Sequence, residues 1–235
     1  MARMEIRGFT PTSLVDWDGK IVSVVYLPEC NFRCPYCHNS GLVLCPENLE
    51  PVEWEDIARY ISDNKDFLDG VCITGGEPTI HRGLPGLIRK IRSLGANVKL
   101  DTNGTNPSML QRLIKEGLVE YVAMDVKAPL DDSYSRCSGV EVDIAKIRKS
   151  IKLLLKGNVG YEFRTTVVPR YLSPEDVLNI ARGVQGAEKY VLQQFVPRNT
   201  MEEELCEDRL YSAKELKDMA RAAEGYVKNI SVRGI

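Results

Sequence analysis

Three cysteines stand close together near the start of the chain, in the segment Cys30-Asn-Phe-Arg-Cys34-Pro-Tyr-Cys37. Their spacing is C-x3-C-x2-C, and the β-rich apolar run 21–27 before them predicts a loop that follows a strand. Thiolates are the ligands of iron–sulfur clusters, and a compact loop can supply three of them to one cube. A four-iron, four-sulfur cube held in this way keeps one iron without a protein ligand, where a small molecule can chelate.

A zinc site is the alternative interpretation of these cysteines. Structural zinc usually takes four protein ligands, and no fourth Cys or His stands at a convincing spacing, since His38 directly follows Cys37. The remaining cysteines are scattered and are typical of small buried residues. They are Cys45, Cys72, Cys137 and Cys206.

Length and composition predict one soluble domain over residues 1–235. The chain is 43% hydrophobic and 27% charged, as in globular proteins, and its net charge of -2 gives no basic field for nucleic acid. No apolar run approaches a membrane span, and residues 1–9 lack the apolar centre of a signal peptide. We therefore expect a cytoplasmic protein with no membrane or nucleic-acid partner.

The elements that must position the cysteines alternate between strands and helices, with short connections. Repeated βα units imply a parallel sheet covered by helices. About six units are too few for a closed eight-fold barrel, so a partial barrel and an open doubly wound sheet both fit. We predict an α/β fold of the partial (β/α)6-type TIM barrel, with parallel strands.

In both architectures ligands bind at the carboxyl ends of the strands. Most of the chemically unusual segments fall at predicted strand ends, which favours one shared site. These segments are 30–37, Thr74-Gly-Gly-Glu-Pro78, Asp101-Thr-Asn-Gly104, Asp125-Val-Lys127, Pro169-Arg170 and Pro197-Arg198.

The cysteine segment, with Tyr36 before the third cysteine, resembles the signature of the radical S-adenosylmethionine (SAM) superfamily. The resemblance implies one 4Fe-4S cluster, held by Cys30, Cys34 and Cys37, that cleaves SAM reductively and yields a 5′-deoxyadenosyl radical. It also places Tyr36 against the adenine of SAM, although a purely packing role fits the side chain as well.

Gly75-Gly76-Glu77 resembles the GGE segment of the same superfamily, whose backbone receives the amino group of SAM. Glycine permits close approach of the backbone to a ligand, but two glycines also make an ordinary turn. Glu77 accepts from the SAM ammonium group on this interpretation, or caps the helix that follows.

Two further segments resemble the activases of glycyl radical enzymes, such as pyruvate formate-lyase activating enzyme. In those proteins two aspartates help to bind a monovalent cation beside the SAM carboxylate, and a lysine meets SAM. The resemblance assigns the cation to Asp101 and Asp125 with backbone oxygens of Thr102 and Ala123, and SAM to Lys127. Oxygen ligands suit a hard cation.

The likeness to the activases spans most of the chain. It extends to His38 after the third cysteine, to Asn103, and to the strand 163–169, where it places Arg164 near SAM. Asp18 stands where the family commonly has proline, and residues 193–196 replace the family's late histidine. Between Cys37 and Cys72, Cys45 is the only cysteine, so no auxiliary cluster fits there.

Within this group the pattern is most similar to anaerobic ribonucleoside-triphosphate reductase activating proteins. The resemblance implies an enzyme whose substrate is a glycine in a partner glycyl radical enzyme, with a flavodoxin- or ferredoxin-type electron donor. Two alternatives stay open. One is a small-molecule radical SAM enzyme such as a 7-carboxy-7-deazaguanine synthase, and the other is a non-catalytic metal-binding interaction module.

Overall fold

The computed structural model describes residues 4–235, and its strands form one sheet in the order β1 to β8. The first strand is antiparallel to the second, and every later pair is parallel. The strands are β1 (Gly8–Ser13), β2 (Val22–Leu27), β3 (Gly70–Gly75), β4 (Asn97–Thr102), β5 (Tyr121–Asp125), β6 (Gly160–Val167), β7 (Tyr190–Gln194) and β8 (Ile230–Arg233).

A helix follows each of the strands β2 to β7, which confirms the predicted partial barrel of six βα units. The α-helices are α1 (Ser40–Leu44), α2 (Trp54–Asp63), α3 (Leu84–Ser93), α4 (Pro107–Lys115), α5 (Tyr134–Ser138), α6 (Ile144–Leu154), α7 (Pro174–Gly183) and α8 (Ala213–Ala223). Short 3-10 turns occupy Pro46–Asn48, Pro78–Ile80 and Glu203–Glu207.

The two faces of the sheet have different chemistry. Apolar residues such as Ile73 and Leu100 are fully buried in the main core, which packs the sheet against the helices. Successive side chains of a strand point to opposite faces, so Cys72, Lys99 and Asp101 lie on the other face. That inner face carries only a small apolar cluster and many charged groups, so it is suited to polar chemistry.

The sequence did not predict β1 or the short helices α1 and α5. β1 contains Pro11, and it is an edge strand, where a residue without an N–H removes no hydrogen bond between strands. The two short helices have five residues each, too few for helical periodicity to show in the sequence.

Among residues 4–235, no helix combines the length and the apolar content that a bilayer crossing needs.

The loop after β2 is held against the loop after β3 by main-chain contacts. The N–H of Gly76 donates to the carbonyl of Leu27 (2.8 Å), and the N–H of Glu77 donates to the carbonyl of Glu29 (2.8 Å). A Cβ atom on Gly76 would lie 1.7 Å from that Glu29 oxygen. The absence of a side chain at Gly76 therefore lets the segment before the cysteines reach its position.

Replacing Gly76 with Ala should destabilise the fold by about 1–3 kcal/mol, because the backbone around Glu29 must move. The matched control is Gly86→Ala, since Gly86 lies in α3 with nothing within 4 Å of an added Cβ. That change should stabilise the protein by about 1 kcal/mol through helix propensity. Chemical denaturation measures both, and equal stability of the two variants would contradict the packing account.

Candidate active site

A cavity of about 540 Å³ opens at the carboxyl ends of the strands. It is lined from four of the predicted segments: the cysteine loop (residues 30–37), 74–77, 101–103 and 125–127. Gln193 and Gln194, which stand where the family histidine is missing, also line it. Most of the predicted strand-end chemistry therefore converges on one space.

Two predicted segments do not line this cavity. The chain turns away after β6 and β7, so that Arg170 pairs with Asp208 (Nε–Oδ2 2.7 Å), with 40% of its side chain exposed. Arg198 is exposed as well. The expectation that every strand end contributes was wrong for Pro169-Arg170 and Pro197-Arg198, because the chain leaves the cavity wall after Thr166 and after Val196.

The three predicted cluster cysteines line the same cavity. Cys34 is buried, and Cys30 and Cys37 are partly exposed. The loop is fixed from within by a bond from the N–H of Cys37 to the carbonyl of Cys34 (3.0 Å). It is fixed from outside by a bond from the N–H of Arg33 to the carbonyl of Ser138 at the end of α5 (2.8 Å).

Burial controls the protonation of these thiols. Desolvation raises the pKa of Cys30 to about 12, and it also raises the pKa of Cys34 and of Cys37. Thiols with such pKa values become thiolates when a bound metal supplies positive charge. The donor set fits a cluster, in which each thiolate binds a different iron. Within residues 4–235, no three His, Cys, Asp or Glu side chains are grouped around a single-ion site.

Tyr36 is buried beneath the cavity, with 6% of its surface exposed. Its ring centroid lies 6.0 Å from Lys127 Nζ and 6.1 Å from the ring of Tyr171. The predicted adenine contact stays a prediction. The face of the Tyr36 ring also makes a cation–π contact with the ammonium group of Lys127.

The glycine segment has a packing role in addition to the predicted one. Gly75 has a φ of +114°, and a Cβ there would lie 2.4 Å from the carbonyl oxygen of Leu27. The carbonyl of Gly75 accepts from the side-chain amide of Asn39 (2.8 Å). The backbone at Leu27 and Glu29 requires glycine at Gly75 and Gly76, and the predicted contact of this segment with the SAM amino group stays a prediction.

Glu77 is 1% exposed, and both of its carboxylate oxygens are occupied by internal donors. Oε1 accepts from the N–H and the hydroxyl of Thr79 and from the hydroxyl of Thr102 (2.7 Å), and Oε2 accepts from the N–H of Asn103 (2.6 Å). Of its two predicted roles, the cap is the one seen: Glu77 caps the turn Pro78–Ile80 and joins the ends of β3 and β4.

Asn103 connects this network to the cysteine loop. Its side-chain amide donates to Asn31 Oδ1 (2.9 Å) and lies 4.0 Å from the sulfur of Cys30, while its oxygen accepts from Thr105. The side chain therefore positions the first cysteine, and it lines the cavity as predicted.

Arg164 lies between the two predicted aspartates. Its Nη1 is 3.0 Å from Asp101 Oδ2, and its Nε is 2.9 Å from Asp125 Oδ1. Burial works to raise the pKa of Asp101, but the charges of Arg164 and Lys99 hold it below the usual value. The three strands β4, β5 and β6 are thus tied together by one buried ion network.

Two lysines complete that network. Lys99 Nζ lies 2.6 Å from Asp101 Oδ1, and Lys127 Nζ lies 3.5 Å from Asp125 Oδ2. Every carboxylate oxygen of the two aspartates therefore faces a cationic group of the protein. These residues do not fit a further monovalent cation, because the aspartates that were to bind it are already neutralised.

The two backbone positions predicted for that cation, Thr102 and Ala123, are buried on neighbouring strands. Ala123 is the ladder partner of Asp101. The hydroxyl of Thr102 is directed to Glu77, away from the aspartates.

His38 fastens the cysteine loop to the segment after β7. Its Nε2 lies 2.8 Å from the carbonyl oxygen of Val196, and its ring stacks on Phe195 at 6.1 Å and 8°. The structure therefore gives His38 a positioning contact, at the edge of the cavity that it lines.

The mostly exposed segment 14–20 contributes Trp17 and Asp18 to contacts at the inner face. Trp17 packs against Tyr121 at 5.8 Å between ring centroids. Asp18, where the family commonly has proline, pairs with Lys189 (2.5 Å) and with Arg233 (2.9 Å). The carboxylate thus connects this segment to the far edge of the sheet, which a proline could not do.

Sequence reasoning missed Lys99, Glu162 and Arg233 on the inner face. Lys99 and Glu162 are each about 2% exposed, and Glu162 pairs with Lys189 (3.0 Å) and Arg233 (3.4 Å). A usable signal existed, since both stand between buried apolar residues and two positions before a recognised site residue, in Lys99-Leu-Asp101 and Glu162-Phe-Arg164.

Comparisons with known proteins agree with this geometry. The model of the radical SAM superfamily matches residues 24–184. A Methanocaldococcus jannaschii protein, named provisionally as a glycyl-radical enzyme activating enzyme, is 36% identical over 237 residues, covering 98% of this chain and 96% of that protein. A Pyrococcus abyssi protein, named provisionally as GTP 3′,8-cyclase, is 28% identical, covering 87% of this chain and 67% of that protein.

Among solved structures, Streptococcus suis SuiB bound to its precursor peptide SuiA matches with a TM-score of 0.69 at 16% identity. The match covers 91% of this chain, which spans 48% of SuiB. That likeness concerns the fold. With the superfamily match and the near full-length relative, the findings place this chain in the radical SAM superfamily, as an enzyme whose cofactors are a 4Fe-4S cluster and SAM.

Proposed function

We propose that this protein is an activase that removes a hydrogen atom from a glycine of a partner glycyl radical enzyme. The observation that carries the proposal is the convergence of the cysteine loop with the buried ion network on one open cavity. The near full-length relative named for glycyl-radical enzyme activation supports the activase assignment. We further propose that residues 1–235 form a single radical SAM domain.

Cys30, Cys34 and Cys37 would hold the cluster, whose one-electron reduction supplies the cleavage of SAM into methionine and a 5′-deoxyadenosyl radical. The ion network would hold the methionine carboxylate. Asp101 and Asp125 carry two negative charges against three positive charges of Lys99, Lys127 and Arg164. One carboxylate is needed to balance a buried excess of one positive charge.

The shape of the cavity supports a protein substrate. Its lining runs from Asp16 beside β1 to Gly234 after β8, across the whole width of the sheet. The two edge strands do not pair with each other, so the barrel is open between them. A glycine in an extended loop could enter, because it lacks a side chain that would block close approach to its Cα.

The finer assignments rest on the sequence resemblance. We propose anaerobic ribonucleotide reductase as the partner and a flavodoxin- or ferredoxin-type protein as the electron donor. We also propose a cytoplasmic location, which the seven unpaired cysteines support. A small-molecule substrate is the second candidate, favoured by the more distant relatives named for GTP 3′,8-cyclase.

Replacing any one of Cys30, Cys34 and Cys37 with Ala should abolish cluster assembly and SAM cleavage, because each thiolate holds one iron. The measurements are iron and sulfide per chain after anaerobic reconstitution, and the yield of 5′-deoxyadenosine with dithionite. The controls are Cys45→Ser and Cys206→Ser, whose side chains are exposed and do not line the cavity. Normal iron content and yield in a variant lacking all three loop cysteines would refute the cluster assignment.

Lys127→Met should weaken SAM binding by about tenfold or more, because it removes the positive charge that the SAM carboxylate would balance. Asp125→Asn should weaken SAM binding as well, because Asp125 holds the Lys127 ammonium and the Arg164 guanidinium in place. The cluster should assemble normally in both. Equilibrium dialysis of reconstituted protein measures the affinity, with Lys152→Met on the exposed side of α6 as the control. Wild-type affinity in both site variants would remove the proposed carboxylate contact.

The substrate assignment can be tested with deuterium at the glycine Cα of the partner. In the proposed step the Cα–H bond breaks and a C–H bond of 5′-deoxyadenosine forms, while one electron from the donor breaks the sulfur–carbon bond of SAM. Deuterium should therefore appear in 5′-deoxyadenosine, with a glycyl radical visible by electron paramagnetic resonance.

A peptide that carries this glycine should act in the same way, but more weakly than the whole partner, since the loop must leave its own protein to bind. Protonated glycine at the same position is the control for the label. Deuterium transfer from a small metabolite alone would instead establish the second candidate.

A further inference from the structure

Lys99 is the residue of the ion network that no predicted role covers. It lies on the inner face of β4 with 2% of its side chain exposed. Its ammonium group is 2.6 Å from Asp101 Oδ1, and its next nearest polar contact is Cys72 Sγ at 3.9 Å. A lysine is buried to this degree almost only when a charge partner compensates its desolvation.

This ammonium group lies against one of the two carboxylates to which the resemblance assigns a metal ion. The resemblance to the activases predicted a monovalent cation on Asp101, and the Lys99 nitrogen occupies one oxygen of that carboxylate while Arg164 occupies the other. The ammonium of lysine is a compact point charge with three donors. It can therefore neutralise a carboxylate oxygen such as Asp101 Oδ1 in the way that a hard monovalent cation does.

The charge balance of the site leads to the same assignment. Asp16 also lines this cavity, but its carboxylate accepts from the hydroxyl of Ser13 and does not belong to the ion network. Within the network, the two aspartates, Lys127 and Arg164 sum to zero without Lys99. Either a monovalent cation or the Lys99 ammonium brings the sum to one positive charge, which the carboxylate of SAM would balance. Both together would leave a second positive charge uncompensated, which is costly in a buried site.

We propose that the ammonium group of Lys99 replaces the monovalent cation, so that this enzyme binds SAM without a metal ion at Asp101. The inference rests on the proposed SAM site. Lys99 is then a positioning residue, which holds Asp101 and, through Asp101, the guanidinium of Arg164.

The wild-type protein tests the proposal directly. We expect reconstituted protein to bind SAM with the same affinity, within about twofold, when potassium chloride is replaced by sodium chloride or choline chloride at constant ionic strength, since exposed charges are screened equally. We also expect no specific broadening of the 23Na NMR line by the oxidised protein. A loss of SAM affinity in choline chloride, together with 23Na broadening, would overturn the proposal.

Lys99→Met removes the charge and keeps the length of the side chain. We expect SAM affinity in choline chloride to fall by about tenfold or more, because Asp101 loses one of its two buried partners. Potassium or sodium should restore much of that affinity, and the variant should broaden the 23Na line. Lys152→Met is the matched control and should behave as the wild type does.

Wild-type affinity of Lys99→Met in every salt would show that Lys99 replaces nothing and would also overturn the proposal. Lys99→Gln serves as the second variant if Lys99→Met does not fold. If neither variant folds, the wild-type measurements decide, with 23Na binding counting against the proposal and salt-independent affinity supporting it. Absence of SAM binding by the wild type in all salts would instead refute the proposed SAM site, while the 23Na measurement still reports on Asp101.

Discussion

The buried bridge of Arg164 to Asp101 and Asp125 is the interaction on which the site depends. It joins three neighbouring strands at their carboxyl ends through contacts of 3.0 and 2.9 Å. Each charge is desolvated, so the arrangement is favourable only while all partners are present. The lysines on both sides extend the bridge to every carboxylate oxygen, and the site is thereby fixed before any ligand arrives.

A second constraint acts on the cysteine loop through the backbone. Gly75 and Gly76 permit the β3 end to touch the chain just before Cys30, and the buried carboxylate of Glu77 fastens β4 to the same place. A segment that resembles a ligand-binding motif therefore has a structural function as well. The backbone contacts explain why glycine is needed at these two positions, and the resemblance to a ligand-binding motif gives a second reason. Only the structure shows the packing contribution, through the short distances from an added Cβ to Leu27 and Glu29.

The charged groups on the inner face of the partial barrel need partners of opposite charge, because they are removed from water. Beside the ion network, Glu162 and Asp18 are both paired with Lys189 and Arg233, and Asp18 ties the segment 14–20 to these residues. Open sheets usually bury apolar residues on both faces. Here one face is charged, and its charges are balanced by residues far apart in the chain. This face can accept a polar ligand above without exposing the main core.

The sequence by itself determined the six βα units and the chemistry at four of the strand ends. Local signals were sufficient for Cys30, Asp101 and Asp125, because cysteine spacing and residues after a strand can be read within a few positions. Only the tertiary structure decided that Glu77 is saturated by internal donors and that Lys99 faces Asp101. These facts depend on which side chains of neighbouring strands come within hydrogen-bond distance, and no local pattern encodes the pairing register of strands distant in the chain.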